Sequence, residues 1–96
     1  MNRDYAREVA ERFVKAKEAQ INIALSIVDD ATLERDFGWV FFYNSTEFLE
    51  TNRISAALAG NAPIVVRRRD GLVFETGTAR PLEEYLVRFR ASGELP

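Results

Sequence analysis

The chain has 96 residues, 47% hydrophobic and 29% charged, with 13 Lys and Arg against 15 Asp and Glu, a net charge of −2, and neither cysteine nor histidine. That length suits one modest core burying about two-thirds of the unfolded surface, so residues 1–96 are expected to form a single domain. Missing cysteine excludes disulfides, thiolate metal sites and a sulfur nucleophile, and missing histidine removes the commonest general base and zinc ligand.

The net negative charge argues against generic binding to nucleic-acid phosphates, where paired cations supply most of the affinity. Met1-Asn2-Arg3-Asp4 is charged and no apolar run approaches the roughly 20 residues that cross a bilayer, so the expectation is a cytoplasmic protein that neither enters membranes nor is secreted. No cofactor is expected.

In chain order, Tyr5, Val9 and Phe13 recur every four positions between Arg3 and about Gln20, with Ala6, Ala10 and Ala16 beside them, which predicts an amphipathic helix. Ile21, Ile23, Leu25 and Ile27 then alternate with Asn22, Ala24, Ser26 and Val28, the period of a strand. The stretch Asp29 to Asp36 is polar. Phe37 to Tyr43 is the most β-prone run and reads as a central strand, with Trp39, Phe41 and Tyr43 on one face and Val40 and Phe42 on the other.

Asn44-Ser45-Thr46 supplies turn and cap chemistry. Glu47 to Asn61 has no sustained period and reads as a loop with a short helical turn, ending at Gly60-Asn61. Ile64-Val65-Val66 and Leu72-Val73-Phe74, separated by Asp70-Gly71, give a hairpin. Pro81 suits the first turn of a last helix in which Leu82, Tyr85, Leu86 and Phe89 form one stripe, with Gly93 as terminator. The predicted fold class is α+β: an N-terminal helix, an antiparallel sheet of three to four strands and a C-terminal helix, both helices on one sheet face.

Asp29, Asp30, Glu34 and Asp36 are the densest carboxylates, but their spacing matches neither a calcium loop nor a fixed acid–base pair. A solvated loop or an acidic contact surface fits better than an enzyme. In Arg67-Arg68-Arg69, strand alternation sends Arg68 away from the other two, which favours a charged hairpin tip. If both helices cover one face, Trp39 and Tyr43 could serve as anchors for a partner on the free face.

Several blocks together resemble the immunity protein 35 family, which includes the YrhB-like proteins: Gly38-Trp39-Val40-Phe41-Phe42-Tyr43-Asn44-Ser45, Phe48-Leu49-Glu50-Thr51, Ala59-Gly60-Asn61-Ala62-Pro63-Ile64-Val65-Val66, Gly77-Thr78-Ala79 and Pro81-Leu82-Glu83-Glu84-Tyr85-Leu86. The resemblance runs from about Ile23 to Phe89. It implies a bacterial α+β protein that neutralises a cognate polymorphic toxin by binding it, with no catalysis. It also leaves a second expectation, a YrhB-like holdase that binds non-native proteins.

Gly38, Trp39, Phe41, Tyr43, Asn44, Gly60, Pro63, Gly77 and Pro81 are then expected to preserve the fold. Partner contact falls to Asp29, Asp30, Glu34 and Asp36 first, with Trp39, Tyr43, Arg53 and Arg68 as further candidates. A homodimer through an exposed strand edge is a further possibility left open by the sequence.

Overall fold

Asn2 opens the first helix: its side-chain oxygen accepts a hydrogen bond from the Tyr5 N–H at 2.9 Å, capping α1, Arg3–Ile21. The computed structural model describes residues 1–58 and 62–95. After α1 come β1 (Leu25–Ile27), β2 (Leu33–Arg35), β3 (Gly38–Phe41), β4 (Tyr43–Ser45), α2 (Thr46–Thr51), β5 (Ile64–Arg67), β6 (Val73–Glu75) and α3 (Leu82–Ser92). Single turns of 3-10 helix occupy Asp29–Ala31 and Ile54–Ala56.

The α+β arrangement expected from the sequence is the one that forms. Strands β2, β3, β5 and β6 make a four-stranded antiparallel sheet in that order, and β1 pairs with β4 in a separate two-stranded sheet. The expectation that both helices share one face is corrected. Leu33, Val40, Val65 and Phe74 lie side by side across the four strands and pack with Leu86 and Phe89 of α3. Their neighbours Trp39, Val66 and Val73, offset by one residue, pack with Ala6, Ala10 and Val14 of α1. The helices therefore sandwich the sheet. The cause is visible in β3 and β5, whose residues are buried on both faces, so that each face needs its own cover.

The alternation over Ile21 to Val28 overstated the first strand. Ile21 ends α1, and Asn22 caps it in the left-handed conformation at φ 58°, its N–H donating to the Glu18 carbonyl at 2.8 Å. Only Leu25 and Ile27 turn inward, while Ile21 and Ile23 remain 39% and 44% exposed. The polar stretch after β1 is likewise more ordered than a loop, because Leu33–Arg35 pairs with β3 as an edge strand.

The aromatic run is a corner between the two sheets. The ladder of β3 stops at Phe41, Phe42 gives its carbonyl to the Val28 N–H at 2.8 Å, and Tyr43 begins β4. Its predicted alternation survives the corner: Trp39, Phe41 and Tyr43 lie in the α1 core, and Val40 and Phe42 in the α3 core. Gly38 makes the close approach to β5 possible. Its φ is 153°, and a Cβ there would overlap the Val66 carbonyl oxygen.

The segment read as a loop with a helical turn contains α2, capped by Ser45 Oγ on the Phe48 N–H at 3.0 Å, followed by the 3-10 turn. Gly60 and Asn61 lie outside the described residues. Pro63 receives both the N–H and the hydroxyl of buried Thr76, at 3.0 and 3.1 Å, which fixes the end of β6. Gly77 leaves room for the Tyr85 hydroxyl, and Pro81 stands one residue before α3 as its N-cap.

Candidate interaction surface

Three of the four carboxylates nominated between Asp29 and Asp36 are held by arginines from three different elements. Asp29 receives Arg7 of α1 at both oxygens, at 2.7 and 3.2 Å. Glu34 receives Arg68, from the residue after β5, at 3.1 Å, and Asp36 receives Arg90 of α3 at 2.9 Å. Asp30 is exposed on the 3-10 turn. Asp29 and Asp30 precede β2 and Asp36 follows it, so the acidic run is stretched along an edge strand instead of gathered into one cup.

Arginine contact favours the charged form of Asp29 and Glu34. Hydrogen bonding from Arg7 holds the Asp29 carboxyl below its ordinary range, against the opposing effect of burial. Arg68 does the same for Glu34. The Trp39 indole N–H, across from Glu34 in the β2–β3 register, adds weakly to that effect but closes no hydrogen bond of normal geometry. The shifts at Asp29 and Glu34 both run opposite to the raised pKa of a general acid.

Arg68 is the most organised of the nominated residues. Its guanidinium lies 4.2 Å from the Trp39 ring centroid and donates to the carbonyls of Arg35 and Asp36 at 2.8 and 3.1 Å as well as to Glu34. Trp39 and Tyr43 themselves are 1% and 3% exposed beneath α1, so the free sheet face on which they were expected as anchors does not exist. Arg53 is exposed between α2 and the 3-10 turn, on different elements from the acidic edge.

Spacing in the sequence could not have found Arg7, Arg67 or Arg90. Their partners come from other elements or, for Arg67, from a tight turn. Arg67 is buried, donates to both Asp70 oxygens at 2.9 and 2.6 Å and to the Gly93 carbonyl at 2.7 Å, and lies 5.1 Å from the Phe74 ring centroid. Between this turn and the end of α3 is a cleft of about 280 Å³. A second groove runs past Ile23, Ala24, Ala56, Ala57 and Leu58, with Glu47 and Ser55 also on its wall.

Among the described residues no group of three or more Asp or Glu is placed to hold a metal ion, and no helix is long and apolar enough to cross a membrane. The described residues form an α+β sandwich whose edge around β2 is lined with ion pairs. The chain belongs to the Immunity protein 35 family, whose profile matches residues 4–88. It is 42% identical over 78 residues to the uncharacterized protein YrhB of Escherichia coli strain K12, an overlap covering 79% of this chain and 81% of YrhB. No solved structure matches it. Family membership supports a protective, binding role.

Proposed function

We propose that residues 1–96 act as one binding domain that neutralises a cognate toxin by holding it, without catalysis. The observation that carries this reading is the immunity-family match across residues 4–88, which takes in both sheets, α2, nearly all of α1 and the first half of α3. The ion-paired edge around β2 is its contact surface. Glu34 and Arg68 are 51% and 37% exposed, and Asp36 and Arg90 are 62% and 70% exposed. Ion pairs this open to solvent contribute little to stability, so they can exchange partners at little cost. Charges of both signs on one edge would fix the register of a docked protein and speed its arrival.

The test is to look for a toxin gene beside the gene for this chain and to co-express the two. Rescue of growth together with a complex that co-elutes in size-exclusion chromatography is expected. A neighbouring toxin that kills equally well with and without this chain, and forms no complex with it, overturns the proposal.

A holdase reading draws support from one feature. Ile23 and Ile54, 44% and 84% exposed, lie on segments beside the groove at Ala56 to Leu58 and could meet non-native chains. Suppression of aggregation of unrelated denatured proteins would favour it over selective binding.

A further inference from the structure

The cleft between the β5–β6 turn and the end of α3 inverts the charge of the molecule. Four arginines, Arg67, Arg68, Arg69 and Arg90, line it against one carboxylate, Asp36, in a chain whose net charge is −2. Its floor is aromatic: Phe37 faces the cleft and Phe89 lies behind it, their ring centroids 5.2 Å apart.

The four guanidinium groups are not equivalent. Arg67 is saturated by Asp70 and the Gly93 carbonyl and is fixed in place. Arg68 is oriented by Trp39 and by two carbonyls. Arg90 has one exposed ion pair, with Asp36, and exposed Arg69 makes no side-chain ion pair or hydrogen bond among the described residues. Two exposed cations, Arg69 and Arg90, therefore stand beside two whose guanidinium groups are held by several hydrogen bonds.

We propose that this cleft receives an Asp or Glu side chain of the bound partner protein, clamped between Arg69 and Arg90 with its methylene stem on Phe37. The guanidinium fork matches a carboxylate in two parallel hydrogen bonds, and the aromatic floor suits the apolar stem of that side chain. The volume of about 280 Å³ fits one or two side chains and falls at the lower limit of small-molecule sites. The incoming carboxylate would replace Asp36 on Arg90 and leave Asp36 free to meet a partner cation. This inference rests on the toxin-binding reading and adds to it the chemistry of one contact.

The experiment measures affinity for the toxin encoded beside this gene, used as a catalytically inactive variant, against wild type and the double variant Arg69→Glu, Arg90→Glu. Both side chains are exposed, and circular dichroism and thermal unfolding should report an unchanged fold. A 10- to 100-fold loss of affinity is expected, partly restored by reversing one Asp or Glu of the toxin to Arg. Affinity within twofold of wild type overturns the cleft while leaving toxin binding intact. If wild type itself fails to bind, the proposed function is what has failed.

A second arm follows the Arg69 and Arg90 Nε–H resonances of wild type during titration with a glutamate-rich peptide or with inorganic phosphate. Shifts with the peptide at concentrations where phosphate gives none support the proposal. Equal saturation by phosphate marks a general anion site and overturns it. Shifts that depend on protein concentration alone would assign the cleft to a second copy of this chain and overturn it equally.

Discussion

The Arg67 guanidinium and the Asp70 carboxylate meet side by side, Nε to Oδ1 at 2.9 Å and Nη2 to Oδ2 at 2.6 Å. Around them the turn closes through Gly71 N–H to the Arg67 carbonyl at 2.7 Å and Leu72 N–H to Asp70 Oδ1 at 3.1 Å. The remaining guanidinium nitrogen reaches Gly93, so one side chain ties the β5–β6 turn to the end of α3.

That tie should be pH-dependent. Hydrogen bonding from Arg67 first, and from the Leu72 N–H, draws the Asp70 carboxyl down from 3.8 to about 2. Because the folded value lies below the unfolded one, the pair stabilises the fold fully above about pH 4 and loses that contribution as pH falls toward 2. Asp70→Asn should lower the melting temperature by several degrees at pH 7 and flatten its fall between pH 4 and 2. Parallel melting curves for the two proteins across that window would remove the ion pair as the cause.

The acidic edge makes a separate prediction about binding. Replacing Asp29, Asp30, Glu34 and Asp36 by amides should leave the fold intact, since each lies on the surface and its loss leaves an exposed or half-buried arginine in water. Association with the toxin should weaken about tenfold, and its dependence on salt should become shallower. Calorimetric titration at two ionic strengths reads both effects. Unchanged affinity would move the interface away from β2.

Why some of this was legible in the sequence and some was not follows from the range of the interactions. Period-two alternation placed Trp39, Phe41 and Tyr43 opposite Val40 and Phe42 because side-chain direction is a local property of extended backbone. The same rule misled at Ile21 to Val28, where Asn22 in the left-handed conformation ends a helix while preserving the appearance of alternation. Which face each helix covers is settled by long-range packing, which the alternation within a single strand does not carry. The arginine partners of the acidic run were invisible for the same reason, since Arg7–Asp29 and Arg68–Glu34 join residues 22 and 34 positions apart.

Trp39 illustrates a buried residue that the fold uses for its volume. It is 1% exposed, packs under α1, and its Nε1–H has no hydrogen-bond partner of normal geometry. Trp39→Ala should cost about 3–5 kcal/mol, as expected for deleting a large core side chain. Trp39→Phe should cost less, about 1–2 kcal/mol, because no hydrogen bond is lost and a ring remains beneath Arg68. Urea unfolding followed by circular dichroism makes the comparison, since Trp39 is the only tryptophan and its fluorescence is lost in both variants. Equal costs for the two substitutions would show that the indole is held by a polar contact after all.

Asn44 joins β4 to the segment that follows α2. Its Oδ1 accepts from its neighbour Ser45 N–H at 2.7 Å and from Leu58 N–H at 2.8 Å. Two backbone donors therefore depend on one acceptor, and Leu58 packs on the α1 core just beyond. Asn44→Ala should leave both donors unpaired and cost about 1–2 kcal/mol. The effect should be local, because β4 belongs to the two-stranded sheet and the four-stranded sheet has its own ladder. Amide hydrogen exchange should accelerate at Ser45 and Leu58 while Val65 and Val66 keep their protection. Acceleration spread evenly through β3 and β5 would instead show that the two sheets unfold as one unit, with Asn44 contributing to global stability.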